Sequence, residues 1–395
     1  MFDVILYVMR YVQPTVHYTT TAPHYVPDFA IEKYVSLIWN EKFQEPGYFE
    51  LYMRATPELF SYFNTHELMI VRPDTMCAMI VENTVLTTSA ENGNYIKITG
   101  HSAESALNRR AIMQTGSWNS GTAEEAIEYF VKSNIEKTHY FSPGADEETD
   151  ITFRFLPFLR YEIPANREAV FPKAIDAQPF GQNLGDFVSG VCKSCGYGYR
   201  IDFDKTKNEM VMRVYKGADR SLNQSVLSQV VFSSDFGNIG ETEYTRDTTD
   251  YKNLVYIAGE GSGKKRVIRS ATTVGLDMSD PLYFRAMGMT RRETFIDAKT
   301  ISSNTDGIDG DMSKYSALLY GMARDEAEAR KEKISFSVET LPSGRFLYRR
   351  DYFLGDIVSV RNQYGINGTA TVSEIDEVID ETGHTIIPKL AEWRA

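Results

Sequence analysis

Three short stretches and a scatter of histidines carry the residue types from which chemistry is usually built. Cys192-Lys193-Ser194-Cys195 is a CxxC. A tetrahedral zinc site needs a second such pair or nearby histidines, and the sequence supplies neither. Redox exchange needs the pair at a helix N-terminus. Here Leu184, Phe187, Val188, Val191, Cys192 and Cys195 recur at helical spacing, so the pair closes the C-terminal end of a helix over about 183–195. Both sulfurs continue its apolar stripe and read as small core side chains. Gly259-Glu260-Gly261-Ser262-Gly263-Lys264-Lys265 resembles a phosphate loop but is one residue short, with Lys265 where the metal-binding Ser/Thr belongs. Val267-Ile268-Arg269 continues as strand, so no helix N-terminus faces a phosphate, and the stretch reads as a hairpin tip. Asp306-Gly307-Ile308-Asp309-Gly310-Asp311 gathers carboxylates without the spacing or the bidentate Glu of a calcium loop. Asp311 and Ser313 instead suit the positive end of a following helix.

The six histidines, His17, His24, His66, His101, His139 and His384, form no metal-ligand spacing and adjoin no nucleophile motif. Carboxylate pairs of the glycosidase type converge only in the fold, and 54 acidic residues offer too many candidates to name two. No catalytic, cofactor-binding or metal-ligating residue is therefore assigned, and no cofactor is expected.

The elements that would position any site are mostly strands. The chain has 395 residues, 24 Tyr and 22 Phe. That length exceeds one core and implies two to four domains; aromatics favour strands and subunit interfaces. The net charge of -12, with Lys264-Lys265-Arg266 as the densest basic stretch, argues against tight nucleic-acid binding. An acidic wall that DNA slides past fits better. Three cysteines argue against a disulfide framework and for folding in a reducing cytoplasm. Met1–Arg10 is a poor signal peptide, and no run approaches the roughly 18 apolar residues of a membrane span.

A first strand precedes Tyr11–Asp28, a Thr-, Pro- and Tyr-rich segment expected as an arm or long loop. Strand runs follow at 35–40, 47–53, 68–71, 78–87 and 95–99, with Glu91-Asn92-Gly93-Asn94 as a hairpin turn. From Thr122, which with Glu125 forms a capping box, Ala123, Ile127, Phe130, Val131 and Ile135 draw a helical stripe. Strands are expected at 199–203 and 210–215, then 253–258 and 265–269, a long charged helix over about 313–333, and short strands at 335–340, 346–348, 357–360, 368–376 and 385–389. The fold class read from this is β-rich α+β and multi-domain. It comprises a barrel-like domain over 1–120, an α/β insert over 121–235 and a second barrel-like region over 236–395.

Several longer stretches resemble the baseplate hub, or tail-associated, proteins of siphophages. They include Ser36-Leu37-Ile38-Trp39, Glu45-Pro46-Gly47-Tyr48-Phe49-Glu50-Leu51, Ile70-Val71-Arg72, Ile80-Val81-Glu82 and Gly100 to Arg110. Thr249-Asp250-Tyr251-Lys252-Asn253, Arg291-Arg292-Glu293, Phe295 to Ala298, Tyr352 to Val358 and Gly383 to Pro388 extend the resemblance over most of the chain from Tyr34. It implies two barrel-like tube domains with inserted domains, three copies of which would set six barrels around a channel. The expected role is a non-enzymatic structural hub at the distal end of a phage or phage-like tail, assembled in the host cytoplasm. Its expected partners are two further copies, the distal tail, tail tube, tape measure and tip or spike proteins. The alternatives are a tail-tip hydrolase of cell-wall or surface polysaccharide, and a glycan-binding receptor module. Hubs with lytic activity often append it as a C-terminal domain; Trp393-Arg394-Ala395 directly follows an expected barrel strand, so none is expected here.

Overall fold

A computed structural model describes residues 4–12, 24–91, 93–113, 117–119, 121–135, 139–141, 148–150, 156, 159–272, 288–304, 308, 310–341 and 345–394. The chain divides into two compact units, Met1–Glu241 with Val338–Ala395, and Thr242–Ser337. In chain order the elements begin with β1 (Leu6–Val12), β2 (His24–Ile31), β3 (Ser36–Lys42), β4 (Tyr48–Arg54), α1 (Pro57–Thr65), β5 (Leu68–Val71), β6 (Ala78–Ser89) and β7 (Gly93–Ser102). There follow a 3₁₀ turn (Ala103–Arg109), α2 (Ala123–Ile135), β8 (His139–Phe141), β9 (Glu148–Asp150), β10 (Leu159–Tyr161), α3 (Arg167–Val170), α4 (Leu184–Cys195), β11 (Gly198–Asp204), β12 (Glu209–Tyr215) and β13 (Val231–Ser233). The second unit carries most of β14 (Ile239–Asp247), then β15 (Leu254–Ala258), β16 (Ile268–Thr272), β17 (Glu293–Asp297), α5 (Met312–Ala329) and most of β18 (Lys333–Thr340). The chain closes with β19 (Ile357–Arg361), β20 (Asn367–Asp380) and β21 (Gly383–Arg394).

One 11-stranded sheet, ordered β13-β19-β20-β3-β4-β7-β6-β5-β1-β2, organises the first unit, with β21 on the other edge of β20. β20 is long enough to serve two neighbours in succession. Residues 367–371 pair with β19, and 374–379 pair with β3, from Glu374↔Lys42 to Ile379↔Leu37. Strands from opposite ends of the sequence thus share one sheet, and the contacts divide the chain elsewhere than at the expected residues 120 and 235. The reason is physical: alternation reports that a segment is a strand, but not which distant strand it meets.

The sheet buries alternate residues in the usual way. Leu37 and Trp39 of β3, Phe49 and Leu51 of β4, Ile96 and Ile98 of β7 and Leu6 and Val8 of β1 form its core with Phe63 from α1. α1 was not foreseen, although its signal stands in the sequence: Thr56 caps it through Leu59 N–H, and Pro57 opens it. α2 and α4 lay their expected stripes against one another and against the sheet β10-β12-β11, with Phe130 and Phe187 edge to face at 5.0 Å. The capping box forms as read, Thr122 and Glu125 each accepting from the other's N–H.

The Tyr11–Asp28 segment differs from the expected arm at both ends. Tyr11 and Val12 pair with Tyr25 and His24, so β1 and β2 bracket it as a hairpin. Residues 13–23 lie outside the described residues. In the second unit α5 packs Tyr315, Leu319, Ala323 and Ala327 on Val255 and Ile257 of β15. The strand expected at 265–269 runs instead over Ile268–Thr272, after a turn at Gly263–Lys265. The strand expected at 346–348 is a turn closed by a Tyr348↔Tyr352 bridge. No helix among the described residues is long and apolar enough to cross a membrane.

Candidate assembly interface

The chemistry-bearing motifs resolve into structural parts. Cys192 is buried in α4 and burial pushes its thiol up; Cys195 sits in the last turn, before Gly196 at φ 68°. That left-handed C-cap is the usual helix stop. The Gly259–Gly263 stretch leads into a turn and then strand β16, and Glu260 N–H donates to the Tyr315 hydroxyl at 2.7 Å. Asp311 caps α5, accepting from Ser313 N–H at 2.8 Å, while Asp306 and Asp309 lie outside the described residues. Of the histidines, His66 lies within 3.0 Å of the Tyr62 carbonyl, His101 contacts Glu82 at 2.6 Å, and His384 contacts Glu377 at 2.7 Å. His17 and the side chains of His24 and His139 lie outside the described set. No cluster of three or more His, Cys, Asp or Glu suited to a metal occurs among the described residues.

A charge network that no sequence spacing announces ties the two ends of the chain together. Arg72, at the end of β5, is 1% exposed and bridges Asp74 at 2.7 Å and Glu377 of β20 at 2.6 Å, over the Trp39 ring. Glu377 also takes Arg349 at 3.6 Å, and Arg349 reaches Glu41 of β3. Burial alone would raise the Glu377 pKa. The His384 hydrogen bond and the Arg72 charge outweigh it and bring the group down to about 2. Close by, Glu41, Cys77, Glu104, Arg200, Asp202 and Tyr215 line a cavity of about 30 Å³. Burial pushes the Glu104 and Asp202 carboxyls up. Perturbed acids facing a cavity are what an active site offers, but this volume admits a water rather than a sugar ring.

The surface feature that stands out is a strand edge. β5 pairs with β6 only as far as Met69↔Ile80, whereas β6 continues beside β7 to Ser89↔Gly93, after a bulge between Val81 and Asn83. From residue 83 to 89 one edge of β6 therefore has no strand neighbour among the described residues. This edge carries no Pro, Lys or Arg, and Val85 and Leu86 are 40% and 39% exposed. Leu86 stands opposite Ile96, on the core side of the sheet, where nothing covers the overhang fully. By contrast the outermost strand β2 carries Pro27, and β21 carries Pro388 and Lys389. Proline and lysine are the usual guards of a free edge, and an unguarded one is a template for another strand.

The family described as Siphovirus ReqiPepy6 Gp37-like protein matches residues 28–390. No curated protein matches the chain. Among solved structures, the 43 kDa tail protein of prophage MuSo2 from Shewanella oneidensis is 11% identical, with TM-score 0.51 over 99% of this chain and 98% of that one. The tail protein from Neisseria meningitidis MC58 is 13% identical over 99% and 97% of the two chains, TM-score 0.49. Prophage tail protein gp18 from Listeria monocytogenes EGD-e is 10% identical over 100% and 96%, TM-score 0.46. These likenesses concern the fold; the match over residues 28–390 concerns the sequence itself, and by it the chain belongs to the Siphovirus ReqiPepy6 Gp37-like protein family.

Proposed function

We propose that this chain is a structural subunit of a phage-type tail, a hub at the distal end that joins the tail tube to the tip or baseplate. Family membership and the fold shared with a prophage tail protein support the tail reading. The observation that carries the assembly reading is the unguarded outer edge of β6. A closed ring of copies covers strand edges that one copy leaves bare. Three copies form the ring around a channel, and the net charge of -12 fits an acidic wall that DNA slides past. Within the first unit, α2, α4 and β10–β12 form the insert expected between residues 121 and 235. Tail tube, tape measure and spike proteins are the partners, and the assembled virion tail is the location.

The alternative of a tail-tip hydrolase draws on Glu104 and Asp202, whose raised pKa values are in the right direction for an acid catalyst. The size of their cavity favours the structural reading. Light scattering on the purified chain, alone and mixed with neighbouring tail proteins, tests the proposal. A threefold mass in either condition is expected; a chain that stays monomeric in both overturns it.

A further inference from the structure

The loop between β12 and β13 ends in a rigid apolar tip. The run Ser221–Ser234 contains no charged residue, in a chain that is 24% charged. Leu222, Val226 and Leu227 are 52%, 90% and 41% exposed. Side chains held this far into water usually belong to a mobile loop, but this one is pinned from within. The Gln224 amide oxygen accepts from Val226 N–H and Leu227 N–H, both at 2.8 Å, and its nitrogen donates to the Ser221 and Leu227 carbonyls, both at 3.1 Å. Gln229 donates to the Gln224 carbonyl at 2.8 Å, and Leu222 N–H to Ser359 Oγ at 2.8 Å. Ordering is complete before any partner arrives, which removes part of the entropy cost of association.

The same unit also carries a receptacle of matching chemistry. Phe232, Leu341, Phe346, Leu347, Ile386 and Pro388 line an open groove of about 410 Å³. Three of its four polar side chains are engaged internally. Asn238 bonds the Val231 carbonyl and Ser233 N–H, the Tyr348 hydroxyl donates to Glu41, and His384 contacts Glu377. A sugar needs free hydrogen-bonding groups at its walls, so the groove suits an aliphatic side chain better than a glycan.

Charge identifies the occupant. Two copies of a chain with net charge -12 repel one another overall, and contact between uncharged surfaces adds nothing to that repulsion. The tip is uncharged and the groove walls are mostly apolar, with His384 as their one ionisable side chain besides tyrosine, so a basic partner would gain little from either. We propose that the apolar tip at Leu222, Val226 and Leu227 of one copy seats in the groove at Leu341, Leu347 and Ile386 of the next. The contact is head-to-tail, as a closed ring requires, and it rests on the ring reading above.

The test is a charge swap in the full chain, read by solution mass across concentration and by circular dichroism for the fold. Val226→Lys and Leu347→Glu each place a charge in the contact, and both positions are exposed enough to leave the monomer folded. Each alone is expected to weaken association at least about tenfold. Together they oppose Lys to Glu across the contact and are expected to restore most of it. Wild-type association that neither variant weakens overturns the tip contact and leaves the ring reading standing. Single variants that weaken association without recovery in the pair overturn the pairing of this tip with this groove. A wild-type chain that stays monomeric, alone and with its tail neighbours, overturns both readings.

Discussion

Replacing Glu377 by glutamine removes the anion at the centre of the network that joins β5, β20 and β21. The carboxylate is 1% exposed, with Arg72 at 2.6 Å and His384 at 2.7 Å. Against the opposing effect of burial, the His384 hydrogen bond and Arg72 bring its pKa from the ordinary 4.5 to about 2. At roughly 1.4 kcal/mol per pH unit, that difference corresponds to about 3 kcal/mol of folded-state stability. The folded pKa lies below the unfolded one, so the contribution is complete above pH 4.5 and disappears as the pH falls through about 2. Glu377→Gln also leaves buried Arg72 with Asp74 as its remaining close acid, and breaking a buried pair costs about 3–5 kcal/mol. Urea unfolding can be followed by fluorescence, since the Trp39 ring lies 5.4 Å from the Arg72 guanidinium carbon. Near neutral pH the variant should be less stable by at least about 3 kcal/mol, and most of that gap should close by about pH 2. A gap below about 1 kcal/mol at neutral pH, or one that stays constant with pH, would refute the reasoning.

Two further outcomes are expected. Thr87→Lys puts the customary guard on the bare edge of β6, where Thr87 is exposed; mass measured by light scattering should fall toward the monomer while the melting temperature stays nearly unchanged, within about 0.5 kcal/mol of stability. In Gly259→Ala the new Cβ would meet the Tyr315 hydroxyl and Leu319 Cδ1, so these two buried side chains of α5 must shift against β15. Overpacking of this kind costs about 1–3 kcal/mol, and hydrogen exchange should quicken over residues 242–337 while the β3–β4 core stays protected.

What the sequence made legible was local. Thr122 with Glu125, Asn183 before Leu184, and Asp311 before Met312 all mark helices that begin where they say, because a cap satisfies N–H groups within one turn. The stripe through Phe130 and the one through Phe187 likewise identified two buried faces that do meet. Pairing was illegible. Nothing in residues 36–42 points to residues 374–379, and the Arg72–Glu377 bridge spans 305 positions. β10 lies parallel to β12, its partner about fifty residues on, and three residues are too few to show any period. The bare edge of β6 was illegible for the same reason: its bareness depends on where β5 stops, which is a fact about register.

The charge of the molecule connects its interior to its assembly. Where arginine enters the core it is matched by acids, as with Arg72 between Asp74 and Glu377, so these buried ions contribute little to the excess of twelve negative charges. The excess lies on the outside, where in the proposed ring identical copies would present it to one another. Faces poor in charge avoid that repulsion locally, and residues 83–90 along β6 and its turn and 222–229 around the Val226 tip are two uncharged stretches that are largely exposed. One offers main-chain hydrogen bonds and the other an apolar anchor, the two means of association that repulsion between like charges does not oppose locally. The long-range repulsion remains, and it is screened within about 10 Å at 0.1 M salt. Association through these faces should therefore strengthen as salt is raised, whereas contact through ion pairs would weaken, so the sign of the salt dependence distinguishes a ring closed by neutral seams from one held by charge.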